Sequence, residues 1–128
     1  MDRTLLLASA ALGFLGVALG AFGAHGLTRA LEGLADAGQR LDWWKTGAQY
    51  QLVHALAVGL SAVAAARFEG GLATTAGWLF VAGVVLFSGS LYAMTLTGVR
   101  VLGAVTPIGG VLMLGGWASL FAAALRAG

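Results

Sequence analysis

The chain has 128 residues, enough for one domain, and is 59% hydrophobic with only 9% charged residues. Soluble domains carry about 25% charged residues, so a soluble fold is excluded; mean hydropathy is +0.91. The net charge of +2 comes without a basic patch, which argues against nucleic acid as a partner, and the absence of Cys removes disulfides, thiolate metal sites and cysteine nucleophiles together.

Asp2 and Arg3 make a short charged start, and the next charge is Arg29. The apolar run between them, about residues 5–26, exceeds the roughly 20 residues that cross a bilayer and predicts a first span. A secretory signal peptide, with Arg3 as its n-region and Ala8-Ser9-Ala10 as its cleavage site, is the rival reading. The run continues well past that site, whereas signal h-regions are about 7–15 residues long. Gly13, Gly16, Gly20 and Gly23, spaced by three and four, share one helix face, and Gly16/Gly20 is a GxxxG pair. This row is expected to form a close helix–helix seam.

Residues 27–45 have soluble character. Leu27, Leu31 and Leu34 fall at i, i+4 and i+7, Asp36→Arg40 is a favourable i,i+4 pair, and Gly38 is expected to end the helix. Trp43 and Trp44 follow as an interfacial anchor. The segment reads as a short amphipathic helix on the membrane surface, with packing of its apolar face on the other helices as the alternative.

Thr46 followed by Gln49 has the capping-box pattern and is expected to start the second span, about residues 47–66. Its first turns carry Gln49, Tyr50, Gln51 and His54, polar groups that lipid does not solvate, so interhelical hydrogen bonds are expected. A tight turn at Arg67–Gly71 leads into the third span, about 72–96. After a loop containing Arg100, Thr106-Pro107 suits a helix start. The fourth span is about 107–125, with Gly115 and Ser119 as a small-xxx-small seam and Trp117 packing against the glycine rows. Phe14 and Phe22-Gly23 in the first span faintly match Phe80 and Phe87 to Gly89 in the third, the mark of an internal repeat.

The predicted fold is therefore an all-α membrane protein. It is a four-transmembrane-helix bundle with a short amphipathic interfacial helix between spans 1 and 2, forming a single domain over residues 1–128. Both termini fall on one side. Arg29, Arg40, Lys45 and Arg100 lie on the long-loop side and Arg3, Arg67 and Arg126 on the other, a balance that sets no orientation.

This topology biases the polar residues to the long-loop half. His54 lies roughly 12 Å inside the second span at helical rise. Ser88 and Ser90 lie at similar depth in the third, with Tyr92 and Thr106 towards the surface and His25 near the end of the first. His25, Gln51, His54, Ser88, Ser90, Tyr92 and Thr106 form the candidate binding cluster. His54 is expected to be a neutral ring bonded across to Ser88 or Ser90 of the third span. A metal or haem site on His25 and His54 is short of ligands, since zinc takes three or four and no acidic residue lies within the spans. No metal site and no cofactor is expected. The GxSxG, HExxH, Walker A and GxGxxG patterns do not occur, so no catalytic residue and no enzymatic activity is expected.

Four ordered motifs carry a resemblance. They are G-A-F-G-A-H-G-L at Gly20–Leu27, W-x-T-x-x-x-Y-Q-x-x-H-A-L at Trp44–Leu56, L-F-S-G-S-L-Y at Leu86–Tyr92 and T-P-I-G-G at Thr106–Gly110. Together they resemble the YgdD-like family, small integral membrane proteins of bacterial inner membranes with small eukaryotic transmembrane relatives. The resemblance implies four spans and a location in the cytoplasmic membrane. The family is a domain of unknown function, so it supplies no substrate, cofactor or catalytic residue.

Three functions follow as expectations. The first is a non-enzymatic accessory, lipid-interacting or structural membrane protein, with the lipid bilayer as partner and self-association or other membrane proteins besides. The second is a small transporter or channel component using a one-sided polar crevice. The third is a haem- or metal-binding redox protein using His25 and His54.

Overall fold

The computed structural model describes residues 2–128. Its helices are α1 (Arg3–Ala24), α2 (Gly26–Ala30), α3 (Ala37–Arg67), α4 (Leu72–Thr97) and α5 (Thr106–Ala127), with a 3-10 turn at Arg100–Ala104 before α5. Four of the helical segments are long and apolar enough to cross a membrane. The protein is thus an all-helical bundle with four candidate spans.

Local chemistry sets the helix ends. Asp2 caps α1 by accepting from the Leu5 N–H at 3.1 Å. Gly71, at φ 80°, enters α4 in the left-handed region, and Gly98, at φ 73°, leaves it there. The Gly98 N–H returns to the Met94 carbonyl at 2.8 Å, the αL ending that favours glycine. Pro107 sits in the first turn of α5, where it forfeits no helical hydrogen bond.

The connection between the first two spans departs from expectation. The short helix α2 has only five residues, and its apolar side is not spread on a surface. Leu27 and Leu31 are buried in a cluster with Trp44, flanked by Leu19, Leu41 and Tyr92. Gly38 ends nothing: it lies in the first turn of α3. Thr46 and Gln49 form no capping box, because α3 already runs through them from Ala37. Its 31 residues make about 46 Å of helix against a hydrocarbon core of about 30 Å, so the first turns project beyond the membrane on the long-loop side.

Across the bundle the helices follow the order α1, α3, α4, α5, each packing chiefly on the next. The inner helices α3 and α4 carry most of the buried residues, while α1 and α5 present exposed Phe14, Val17, Val111, Leu114 and Phe121 outward. Lipid tails are as apolar as these side chains, so close packing and hydrogen bonds, rather than water exclusion, hold the helices together. Phe80, fully buried, lies at the centre with Leu5, Ala57, Val58, Ala62 and Ala76. Its burial against an exposed Phe14 removes any parallel role for the two phenylalanines of the suspected repeat.

The tightest seam joins α4 to α5. A Cβ on Gly109 would strike the backbone of Phe87 and Gly83, and one on Gly116 would come within 2.6 Å of the Phe80 ring. Gly115 faces Leu79 at ordinary contact distance, so the seam runs one residue, about 100° of helix, from the Gly115/Ser119 register read in the sequence. On α1 the glycine row divides. Gly16 admits the Leu52 side chain and Gly23 the Trp44 indole, whereas Gly13 and Gly20 have no neighbour within 4 Å of a Cβ position.

Candidate functional site

Gln51, Ser88, Ser90, Tyr92 and Thr106 of the long-loop half are committed to helix–helix bonds. Gln51, 3% exposed, donates from Nε2 to the Leu12 carbonyl of α1 at 2.9 Å and accepts from the Tyr92 hydroxyl of α4 at 2.7 Å. One side chain thereby ties three helices. Ser88 donates to the Gly47 carbonyl at 2.6 Å, and Ser90 pairs with Thr106 at 2.5 Å, linking α4 to α3 and to α5. Ser9 donates to the Ala55 carbonyl at 2.7 Å. Each such bond contributes about 0.6 kcal/mol on average and up to about 1.7. These atoms close the helix interfaces and do not line an open crevice.

His54 is placed differently from the sequence reading. It lies 5% exposed against Phe80 and Trp117, and its partner across the bundle is α5, not the serines of α4. Nδ1 meets the Tyr50 carbonyl of its own helix at 2.8 Å, and Nε2 accepts from the Trp117 indole N–H at 3.1 Å. A carbonyl only accepts and an indole only donates, so the two partners together select the tautomer protonated on Nδ1.

His25 does not join this group. It is the C-cap of α1, exposed, beside a shallow recess with Thr28 and Arg29. The two histidines therefore occupy different environments. Among the described residues no three His, Cys, Asp or Glu side chains converge on one point.

Sequence reasoning missed two further features. The first is Trp44, expected as an interfacial anchor but buried, with its Nε1 donating to the Leu19 carbonyl at 2.7 Å and its ring against Phe22 and Tyr92. Its companion Trp43 stays at the rim, under the Arg100 guanidinium at 5.4 Å. The second is a polar clasp over the long-loop end. Arg40 bonds both carboxylate oxygens of Asp36 at 3.1 Å and the Thr95 carbonyl at 3.3 Å, while Thr95 donates to the Arg40 carbonyl at 2.9 Å. Arg100 adds a bond to Gln39 at 2.7 Å and approaches Asp36 at 3.9 Å. The hydrogen bond from Arg40 holds the Asp36 carboxyl below its ordinary 3.8, with a smaller contribution from Arg100. Asp36→Arg40 was legible as an i,i+4 pair; the reach to Thr95 depends on tertiary placement.

Besides an apolar recess between α1 and α3 lined by Gly13, Val17, Leu52 and Leu56, a concavity lies within the spans on the same half. It is a groove of about 450 Å³ whose floor is Phe87 of α4. Tyr50 and His54 form one wall, and Pro107, Gly110, Val111, Leu114 and Trp117 the other. It exists because α3 and α5 both pack on α4 and diverge over it, touching at His54 and Trp117. From Pro107 to Trp117 it runs about 15 Å at helical rise. That is half of a hydrocarbon core about 30 Å thick. Its walls are mainly apolar, and Val111 and Leu114 continue outward into the exposed face of α5.

Four apolar spans, interfaces sealed by interhelical bonds and a laterally open apolar groove define a small multi-pass integral membrane protein. Residues 19–110 match the family described as a protein of unknown function (DUF423). The chain is 48% identical to the UPF0382 membrane protein YwdK of Bacillus subtilis over 114 residues, 88% of each chain. It is 42% identical to the UPF0382 inner membrane protein YgdD of Escherichia coli over 125 residues, covering 98% of this chain and 92% of YgdD. A UPF0382 membrane protein of Haemophilus influenzae is 47% identical over 111 residues, 84% of this chain and 82% of its own. The chain belongs to this family of uncharacterised membrane proteins. No solved structure matches it.

Proposed function

We propose that the protein is a non-enzymatic, lipid-interacting component of the cytoplasmic membrane that seats a lipid acyl chain in the groove between α3 and α5. The groove carries this reading: it is apolar, opens sideways from the exposed face of α5, and has the length of one leaflet. The name of YgdD as an inner membrane protein supports the location. The commitment of Gln51, Ser88, Ser90, Tyr92 and Thr106 to interhelical bonds supports a structural role for the polar cluster in holding the groove open.

Quenching of Trp117 tests the proposal. In vesicles whose lipids carry bromine midway along one acyl chain, Trp117 emission, taken as the difference between the parent and Trp117→Phe, should be strongly quenched. Leu114→Trp on a Trp117→Phe background adds a second reporter one turn nearer the surface. No quenching at either position would overturn the reading.

A further inference from the structure

We infer that the Tyr50 hydroxyl recognises the ester carbonyl of the lipid seated in the groove, so that the site prefers acyl-ester over ether-linked lipids. This rests on the acyl-chain reading above. Tyr50 stands in the wall of the groove, 43% exposed, with its ring 4.6 Å from Phe87 and 6.0 Å from the His54 ring. The buried polar side chains of the surrounding cluster are paired. The Tyr50 hydroxyl, by contrast, makes no hydrogen bond among the described residues, although its own main-chain carbonyl holds His54.

Depth identifies the missing partner. Helical side chains lean towards the helix N-terminus, which for α3 is the long-loop surface. Tyr50 lies one turn nearer that surface than His54. Its hydroxyl therefore sits where the hydrocarbon meets the glycerol backbone, above the apolar run from Phe87 to Trp117. At that level a tyrosine keeps its ring on apolar surface and offers its hydroxyl to polar partners. The acceptor that a chain in this groove brings to that level is its own ester carbonyl. A phenol donates readily to a carbonyl, and an ether oxygen is the poorer acceptor that replaces it in an alkyl lipid. Anchoring at Tyr50 also fixes the register of the chain, with its middle carbons against Leu114 and Trp117.

The test compares dioleoyl phosphatidylcholine with its dioleyl ether analogue, which has the same headgroup and chain but lacks the carbonyl. Lipid retained by the detergent-purified protein is measured by native mass spectrometry. The parent should retain the ester lipid about 3- to 18-fold more strongly, the ratio expected for one intramembrane hydrogen bond. Tyr50→Phe should retain both lipids equally at the ether level. Equal retention by the parent with both lipids present would overturn the ester recognition while leaving the groove occupied. Retention of neither would instead remove the acyl-chain reading. A Tyr50→Phe protein that kept the ester preference would place the recognising donor elsewhere and equally overturn the inference.

Discussion

Trp117 of α5 donates from its indole Nε1 to Nε2 of His54 on α3 at 3.1 Å, joining two helices whose main common neighbour is α4. Both rings also pack on Phe80, at 5.6 Å from His54 and 4.9 Å from Trp117. The pair thus closes the deep end of the groove and fixes how far its walls stand apart. Trp117→Phe keeps most of the packing and removes the donor, so it should cost about 0.6–1.7 kcal/mol of stability in detergent. His54→Ala should cost more, since it adds a cavity, and His54→Gln less, since it keeps a donor and an acceptor. A double-mutant cycle in thermal denaturation measures the bond itself. Strictly additive costs would show that the two side chains do not interact.

The α4–α5 seam makes a sharper prediction about glycine. A Cβ at Gly109 meets backbone atoms of Phe87 and Gly83, which cannot rotate away as a side chain can. Gly109→Ala should therefore destabilise by at least the ~1–3 kcal/mol of ordinary overpacking. Gly13→Ala, where no atom lies within 4 Å, should be neutral or mildly stabilising, since alanine favours the helix. Gly16→Leu should destabilise more than Gly20→Leu, because only Gly16 receives a neighbour's side chain. Equal melting temperatures for Gly109→Ala and Gly13→Ala would refute the seam.

The clasp over the long-loop end should respond to acid. The Asp36 carboxyl is depressed below 3.8 by its bond from Arg40, so the folded state favours the charged form. Its contribution is fully present above about pH 4 and is lost as pH falls through the lower folded value. Stability of the parent should thus fall more steeply below pH 4 than that of Asp36→Asn, and the two curves should run parallel from pH 5 to 7. Parallel curves down to pH 3 would show that the clasp contributes nothing.

Much of this architecture was legible in the sequence because span length, apolar composition and helix punctuation are local properties. Gly71, Gly98 and Pro107 mark their helix ends without reference to the rest of the bundle. Helix rotation is not local. Depth counted along the helices put His54 level with Ser88 and Ser90, but Ser88 meets Gly47 and Ser90 meets Thr106, nearer the long-loop surface, while helix rotation turns the His54 ring to Phe80 and Trp117. The same cause shifted the α5 seam by one residue, from Gly115 to Gly116. Residues 27–45 looked like one separate amphipathic segment because the composition changes at the membrane surface, although from Ala37 the backbone already belongs to α3 and runs on without a break. The groove had no sequence signature, since its lining comes from three helices.

Topology is open to direct labelling. Single cysteines at Asp2, Glu69 and Arg126 should react with an impermeant maleimide from one side of sealed vesicles, and cysteines at Asp36 and Arg100 from the other. Labelling of Glu69 and Arg100 from the same side would contradict an arrangement in which α4 crosses the membrane between them.

Photo-crosslinking tests the occupied groove most directly. The protein is reconstituted with a phospholipid bearing a diazirine midway along one acyl chain, irradiated, digested and mapped by mass spectrometry. Adducts should concentrate on Phe87, Val111, Leu114 and Trp117, in clear excess over Phe14 and Leu15 of α1, which are exposed outside the groove. Labelling spread evenly over Phe14, Leu15, Val111 and Leu114 would show that α3 and α5 enclose no bound chain, and the account of the groove as a lipid site would fall.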